Sequence, residues 1–506
     1  MSDASVYAAL RSDMPLVVVE APAGCGKTTS GADYAREIAV ASKKPRLLIL
    51  THTHAACSVF SERTKGVGAN IEIRTIDSVI ARIASAYHLG LGLPSDVSSW
   101  VRQRRDGYRE LALTVSALLQ RHPMIVASLA QRYGIVICDE HQDSSGDQHS
   151  IVMALQSQGT KLRIFGDPMQ KIFRERSRVC TSVACDWDTI TRQAHAYEQL
   201  DHPHRWTNGC TELGQWTLAA RSALKSGGTI NLRTGLPRSV TVVFAENRSR
   251  RNREYQLSSQ DRRPIDTFER MYSSLLILTR HNDAARSLRA FFNRRITLWE
   301  GHTRTSLERL VDGLSAGRGD AMAVASATAA FVSETGKGFS PSAFGNRFEQ
   351  EIRDGCTGLC RGKPAAIQGL ARFLVDEPNH FGVAKMLRRL SELASSNQNF
   401  ADIKIDCHRE FWEATRLGDF DSAENAFAEI THRRVYSRPI PAERAISTIH
   451  KAKGLECGSV IVMPCDAQMF PDKEDARCLL YVALSRAKSH LMLVVSRNNQ
   501  SPLLTI

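Results

Sequence analysis

Short apolar runs alternate with longer amphipathic stretches through the first 300 residues. Leu16–Glu20, Arg46–Leu50 and Ile135–Cys138 are nearly continuous in apolar residues, and with Ile71–Arg74 and Lys161–Phe165, which carry charges among theirs, they read as buried parallel strands. Each is followed by a polar or Gly-bearing turn and then by sequence with helical period. A strand buried on both faces shows no in–out alternation, so the pattern predicts βα units of a doubly wound, parallel sheet. Further strands are expected at Thr241–Ala245, Leu275–Thr279, Ala445–Ile449, Ser459–Met463 and His490–Val495.

Two stretches break the alternation. Ala86 to Ala130 is Leu/Ala-rich and helical in pattern and carries the basic run Arg102–Arg105. Phe292 to Glu429 is mostly helical, with Gly/Ser-rich joints near Gly313–Gly319 and Gly336–Gly345. The expected class is α/β, with two parallel-sheet domains, each interrupted by a mostly helical insertion. The expected boundaries are 1–85 and 131–235 for the first sheet domain, with 86–130 inserted, and 236–300 and 441–506 for the second, with 301–440 inserted.

Composition narrows the function. Hydrophobic residues make up 42% and charged residues 24% of the 506, which is ordinary for a globular chain. Lys and Arg outnumber Asp and Glu by 66 to 53, a net +13 that favours a polyanionic partner, nucleic acid first. No apolar run approaches the ~20 residues that span a bilayer, and the start lacks a charged-then-apolar signal layout, so a cytoplasmic protein without a membrane partner is expected. Twelve scattered cysteines read as reduced thiols. Cys356 and Cys360 have metal-like spacing but no second pair at ligand distance, so buried or surface thiols are the expectation there.

The chemistry begins at Ala21-Pro-Ala-Gly-Cys-Gly-Lys-Thr28, placed between a strand and a helix. This is a phosphate loop: backbone N–H groups of Ala23, Gly24, Cys25 and Gly26 and a helix N-terminus wrap phosphates, Lys27 reaches the β/γ-phosphates and Thr28 ligates Mg²⁺. Ala21 stands where the usual pattern has its first glycine. The strand ending at Cys138 runs into Asp139-Glu140-His141-Gln142-Asp143. A carboxylate at such a strand end can hold Mg²⁺ and its neighbour can activate water, so Asp139 is assigned to the metal and Glu140 to the water. ATP and Mg²⁺ are the expected ligands.

The order of these segments resembles UvrD/Rep-type superfamily 1 helicases. Asp139 to Asp143 is similar to the family's second motif and Gly166-Asp-Pro-Met-Gln170 to its third. Thr51-His-Thr-His-Ala-Ala56 and Arg74-Thr-Ile-Asp-Ser78 resemble segments that face single-stranded DNA. Thr448-Ile-His-Lys-Ala-Lys-Gly-Leu-Glu456 resembles the fifth motif and Tyr481-Val-Ala-Leu-Ser-Arg-Ala-Lys488 the sixth, while Leu278-Thr-Arg-His-Asn282 resembles the strand end that opens the second motor domain. The resemblance implies two RecA-like P-loop NTPase domains with ATP between them. It implies Gln170 as γ-phosphate sensor, Arg205 and Arg486 as arginine fingers, His204 as a stacking group at the base, and Glu456 as the link between nucleotide and DNA track. Thr51, His52, Thr53, Arg74, Phe173 and His450 are the DNA-contacting positions it implies.

The departures matter. Where the family has a Trp after the third motif, this chain reads Phe173-Arg-Glu-Arg-Ser177, and Phe173 is either a substitute stacking platform or a core residue. Arg248, Arg250, Arg251, Arg253, Arg262 and Arg263 are either a phosphate-contacting loop or a solvated run. The resemblance implies an ATP-driven motor moving 3′ to 5′ on single-stranded or tailed double-stranded DNA. The alternative is an ATPase subunit that senses nucleic acid or nucleotide and unwinds little. In size and architecture the chain also resembles the helicase subunit of Gabija-type antiphage systems, which implies an OLD-type nuclease as partner.

Overall fold

The computed structural model describes residues 2–41, 46–67, 70–104, 106–173, 185–207, 209–248, 255–300, 304–436 and 442–506. The basic residues Arg105, Arg250, Arg251 and Arg253 and the segment 174–177 lie outside them. The chain divides into two units, one of Met1–Ile296 with Ile440–Ile506 and one of Thr297–Pro439.

The first unit holds a six-stranded sheet in the order Ile71–Thr75, Arg46–Thr51, Tyr133–Cys138, Lys161–Gly166, Leu16–Glu20, Ala196–Gln199, parallel throughout. Successive residues of each inner strand point to opposite faces, and both faces are apolar. Val17, Val19, Leu47, Ile49 and Ile137 enter one core, while Val18, Leu48, Val136, Leu162 and Ile164 enter the other. Helices cover both sides, as parallel strands require. The helix Gly107–Arg121 sends Leu111, Val115 and Leu119 into the second of these cores, so the 86–130 segment helps to bury the sheet.

Ala196–Gln199 was not expected from the sequence as a strand. Its Ala-Tyr-Glu-Gln sequence has only one strong β-former, and its residues are exposed or half-buried because it forms an edge. Backbone pairing with Val17–Glu20 holds it.

Five strands of a second six-stranded parallel sheet also lie in this unit, in the order Arg444–Thr448, Leu275–Thr279, Cys457–Cys465, Ala487–Val495, Val240–Phe244. The fold class expected from the periodicity is the fold observed. Register fixes what meets at the carboxyl ends of the first sheet. Glu20 lies beside Gly166, and Cys138 beside Ile164. The phosphate loop, the acidic turn and the Gly166–Gln170 segment therefore leave the sheet side by side, the usual place for a ligand in an open α/β sheet.

The second unit is helical, with Thr305–Ala316, Ala321–Thr335, Lys363–Asp376 and His380–Ser396 around Leu310, Phe331, Leu370, Leu387 and Phe411. The joint expected at Gly313–Gly319 is partly helix. Gly313 lies within Thr305–Ala316, and a Cβ there would stand 2.7 Å from the Ala327 Cβ, so the glycine permits close helix packing. Gly319, with φ +79°, makes the turn.

Buried carboxylates cap two helices of this unit. Glu410 accepts from the backbone N–H groups of Ser306 (2.8 Å) and Leu307 (2.9 Å), and Glu300 accepts from those of Arg409 (3.0 Å) and Glu410 (2.8 Å). Each negative charge thus meets a helix N-terminus and satisfies donors that have no intrahelical partner. Glu410→Ala should destabilise this unit by about 2 kcal/mol. Hydrogen exchange at Ser306 and Leu307 should accelerate accordingly; unchanged protection there would contradict the capping role. Among the described residues no helix is long and apolar enough to cross a membrane.

Candidate functional site

The phosphate loop follows a fully buried strand and ends in the helix Lys27–Ala41, whose first N–H groups have no acceptor within the helix. Gly24 and Gly26 adopt φ of +79° and +84°, a region costly for other residues. Space excludes a side chain as well. A Cβ on Gly24 would lie 2.6 Å from the Trp206 ring, and one on Gly26 would lie 3.0 Å from the His204 ring. The turn His204–Trp206 is therefore folded over the loop, and the Arg205 N–H donates to the Gly24 carbonyl at 2.9 Å. His204 is held in turn by Asp3 at 2.8 Å. Cys25 is buried, and its thiol is pushed up to about 12, first by burial and then by the charge of Asp167, so it behaves as a small packing residue.

Lys27 ion-pairs with Glu140 and lies 3.5 Å from the Asp139 carboxylate. Burial alone would lower the Lys27 pKa, but Asp139 and then Glu140 outweigh it and raise it. Burial likewise opposes ionisation of both carboxylates. For Glu140, Lys27 and then Lys453 prevail and hold it well below the usual range, whereas for Asp139 burial wins and the pKa is raised. Asp139 Oδ1 is buried and accepts no hydrogen bond. A buried carboxylate oxygen with no hydrogen bond, only the 3.5 Å ion pair with Lys27, beside a phosphate loop fits a divalent cation, whose charge would reverse the effect of burial. Thr28 begins the helix on the same loop. Glu140 itself sits at φ 53°, ψ 37°, a left-handed conformation uncommon for a non-glycine residue and concentrated at functional sites.

Buried charge organises the Gly166–Gln170 segment. Arg221 bridges Glu20 (2.6 Å) and Asp167 (2.6 Å), and Asp167 also accepts from the Gln170 amide at 2.9 Å. Burial would raise the Glu20 pKa, but Arg221, Lys225 and Tyr197 hold it at about 2. Gln142 donates to Glu140 and accepts from the Asp167 N–H at 3.0 Å, so it ties the acidic turn to this segment.

The second sheet reaches the same place. Lys453 Nζ lies 2.5 Å from Asp143 and 2.7 Å from the Gln170 carbonyl. Tyr481, fully buried, accepts from the Ala23 N–H at 2.7 Å. Arg205 pairs with Glu456 at 2.7 Å and donates to the Ser485 carbonyl at 2.7 Å, while Trp206 donates to the Ala487 carbonyl at 2.8 Å. Arg486 is buried and its donors go to the carbonyls of Val482 and Leu455 and to Ser485 Oγ. Burial, and then the Arg205 cation, push Arg486 down to about 10. Two guanidinium groups thus lie close together, with Glu456 paired to Arg205 and main-chain carbonyls and a hydroxyl as the partners of Arg486, and planar donors of this kind suit phosphate oxygens. Lys453, Tyr481, Gln142, Asp143, Asp167 and Arg221 were not singled out from the sequence. All but Arg221 lie inside recognised segments, and Glu20 gives a signal of its own as a charge ending an apolar strand.

The positions expected to meet DNA behave less uniformly. Thr51 is buried and bonded to the Thr53 carbonyl and Cys57, while Thr53 caps the helix His54–Arg63. His52 is bonded to Ser144 at 3.1 Å, and Arg74 is exposed beside Glu72. Phe173 is 48% exposed and is therefore no core residue; its ring lies 6.1 Å from that of His450, with Lys453 Nζ at 5.2 Å. Of the basic stretch, Arg262 and Arg263 belong to the helix Ser259–Met271, and Arg262 is committed to Asp266 and the Phe291 carbonyl. Those two do not form a loop.

Residues 97–180 match the family model of the UvrD/REP helicase N-terminal domain, and residues 445–494 match that of the UvrD-like helicase C-terminal domain. The first match includes the acidic turn and Gly166–Gln170; the second includes Lys453, Glu456, Tyr481 and Arg486. No curated protein sequence matches the chain. The two matches support a UvrD/Rep-type, ATP-dependent DNA helicase, with DNA as its substrate.

The Tyr481 contact generates a test. Tyr481→Phe leaves the Ala23 N–H without its acceptor, a cost of about 1–2 kcal/mol. The ATP concentration for half-maximal hydrolysis should rise roughly fivefold or more. An unchanged value would show that the loop keeps its shape without the tyrosine.

Proposed function

We propose that this chain is an ATP-driven motor that moves 3′ to 5′ along single-stranded DNA. The reading rests on the convergence of both sheets on the phosphate loop, through Tyr481 and Arg205, and on the acidic turn beside it, through Lys453. A site closed by residues of two sheets can change their relation when its ligand changes, which a motor requires and a simple phosphatase does not.

In this reading the loop N–H groups and Lys27 hold the phosphates, and Thr28 and Asp139 hold Mg²⁺, which supplies charge neutralisation. Glu140 orients and deprotonates the attacking water, its left-handed backbone aiming the carboxylate into the site. Gln170 senses the terminal phosphate and, through its carbonyl, informs Lys453. Arg205 and Arg486 stabilise charge that develops in the transition state, which requires them to exchange their present partners for phosphate oxygens. His204, held over Gly26, offers a stacking face to the base. Phe173, exposed next to His450, takes the part of the missing Trp as a platform for a DNA base, with Thr53 and Arg74 along the backbone path. Resemblance in size and architecture extends the proposal to antiphage defence beside an OLD-type nuclease.

Lys27→Ala should abolish hydrolysis by weakening phosphate binding. Glu140→Gln should retain ATP binding and lose about 10²–10⁴-fold in turnover, because water activation is removed while Lys27 and the loop N–H groups still hold the phosphates. Hydrolysis by Glu140→Gln at the parent rate would refute that assignment, and a strand-displacement assay run in parallel separates a motor from an ATPase that only senses DNA.

Affinity for single strands should rest on phosphate contacts. It should fall at least about tenfold between 50 and 200 mM salt and be alike for poly-T and mixed sequence. A flat salt response would contradict the motor reading.

A further inference from the structure

Next to the nucleotide site lies a second group of potential ligands that hydrolysis does not use. His141, His149 and Cys185 are buried, and one ligand atom from each lies within 4.8 Å of the others. His141 follows the candidate base Glu140, His149 lies in the helix Gly146–Ser157, and Cys185 precedes the helix Trp187–Gln193. His141 Nε2 and His149 Nδ1 are 3.0 Å apart, close to the separation of two nitrogens bound to one tetrahedral ion. The other ring nitrogen of His141, Nδ1, is 3.2 Å from Ser144 Oγ, which in turn lies 3.1 Å from His52 Nε2. A ligating histidine characteristically has its second nitrogen engaged in this way, which fixes the ring and its tautomer.

The donor set decides the ion. Two imidazoles and a thiolate are borderline to soft ligands that select zinc over magnesium or calcium, which take oxygen. We propose that His141, His149 and Cys185 bind a zinc ion, with a water as fourth ligand, distinct from the magnesium site at Asp139 and Thr28. Binding releases the Cys185 thiol proton to solvent and involves no change of oxidation state. The ion pins the turn that carries Glu140 to the helix behind it. The pair flagged by spacing, Cys356 and Cys360, is arranged differently. Cys356 Sγ and Cys185 Sγ each face a main-chain carbonyl at 3.7 Å, but Cys360 Sγ lies 3.1 Å from Arg347, a cation that disfavours a metal.

The test uses the full chain, without an affinity tag that binds metal and without nucleotide, loaded with Zn²⁺ and then passed through a desalting column. Elemental analysis should give about one zinc per chain, and excess Mg²⁺ should not displace it. Cys185→Ser and His149→Ala should each lose at least about tenfold in zinc affinity, and Cys360→Ser should not. Loading with Co²⁺ should give a thiolate-to-cobalt charge-transfer band that disappears in Cys185→Ser. Circular dichroism checks that each variant is folded, and the cobalt band of the parent chain decides the question even if a variant is not. No retained zinc and no thiolate band in the parent, or equal uptake by the parent and a folded Cys185→Ser, would overturn the proposal.

Discussion

A carboxylate taken out of water needs a cation or a donor, and the carboxyl edge of the first sheet concentrates such groups. Glu20, Asp139 and Asp167 are buried there, and Glu140 and Asp143 are partly buried beside them. Arg221 and Lys225 neutralise the interior pair, Lys27 serves Asp139 and Glu140, and Lys453 comes from the second sheet for Asp143. Removing one partner of such a set leaves an uncompensated charge, so the arrangement fixes the relative positions of the segments more than it adds stability. The proposed nucleotide site is the part of this network where Asp139 Oδ1 has no hydrogen bond and only the longer ion pair with Lys27.

The same charges join the two sheets. Lys453 contacts the acidic turn and the carbonyl of Gln170 at once, so in the proposed mechanism a shift of Gln170 toward a phosphate would be felt on the second sheet. Arg205 works in the opposite direction, leaving the first sheet to meet Glu456 and the Ser485 carbonyl. Gln142, by joining Glu140 to Asp167, gives the acidic turn and the Gly166–Gln170 segment one shared support.

Local chemistry was legible in the sequence. The buried strands announced themselves as apolar runs, and the phosphate loop and acidic turn are short segments whose spacing carries their geometry. The edge strand Ala196–Gln199 was not legible, because backbone pairing rather than side-chain burial makes it a strand. Distant pairings were not legible either. Tyr481 meets Ala23 across 458 positions, Lys453 meets Asp143 across 310, and Arg221 meets Glu20 across 201. A charged residue closing an apolar strand, as Glu20 does, signals that a partner exists without saying which. The grouping of His141, His149 and Cys185 escaped for the same reason, since a helix turn and a separate segment bring it together.

If Lys453 couples the proposed nucleotide site to the second sheet, DNA-stimulated hydrolysis depends on it. Turnover with saturating ATP should be compared with and without single-stranded DNA for the parent chain and for Lys453→Ala. Stimulation should be at least about tenfold in the parent, roughly 1.4 kcal/mol of barrier, and should be lost in the variant while ATP affinity changes little. Equal stimulation in both proteins would show that the two sheets do not communicate through this contact.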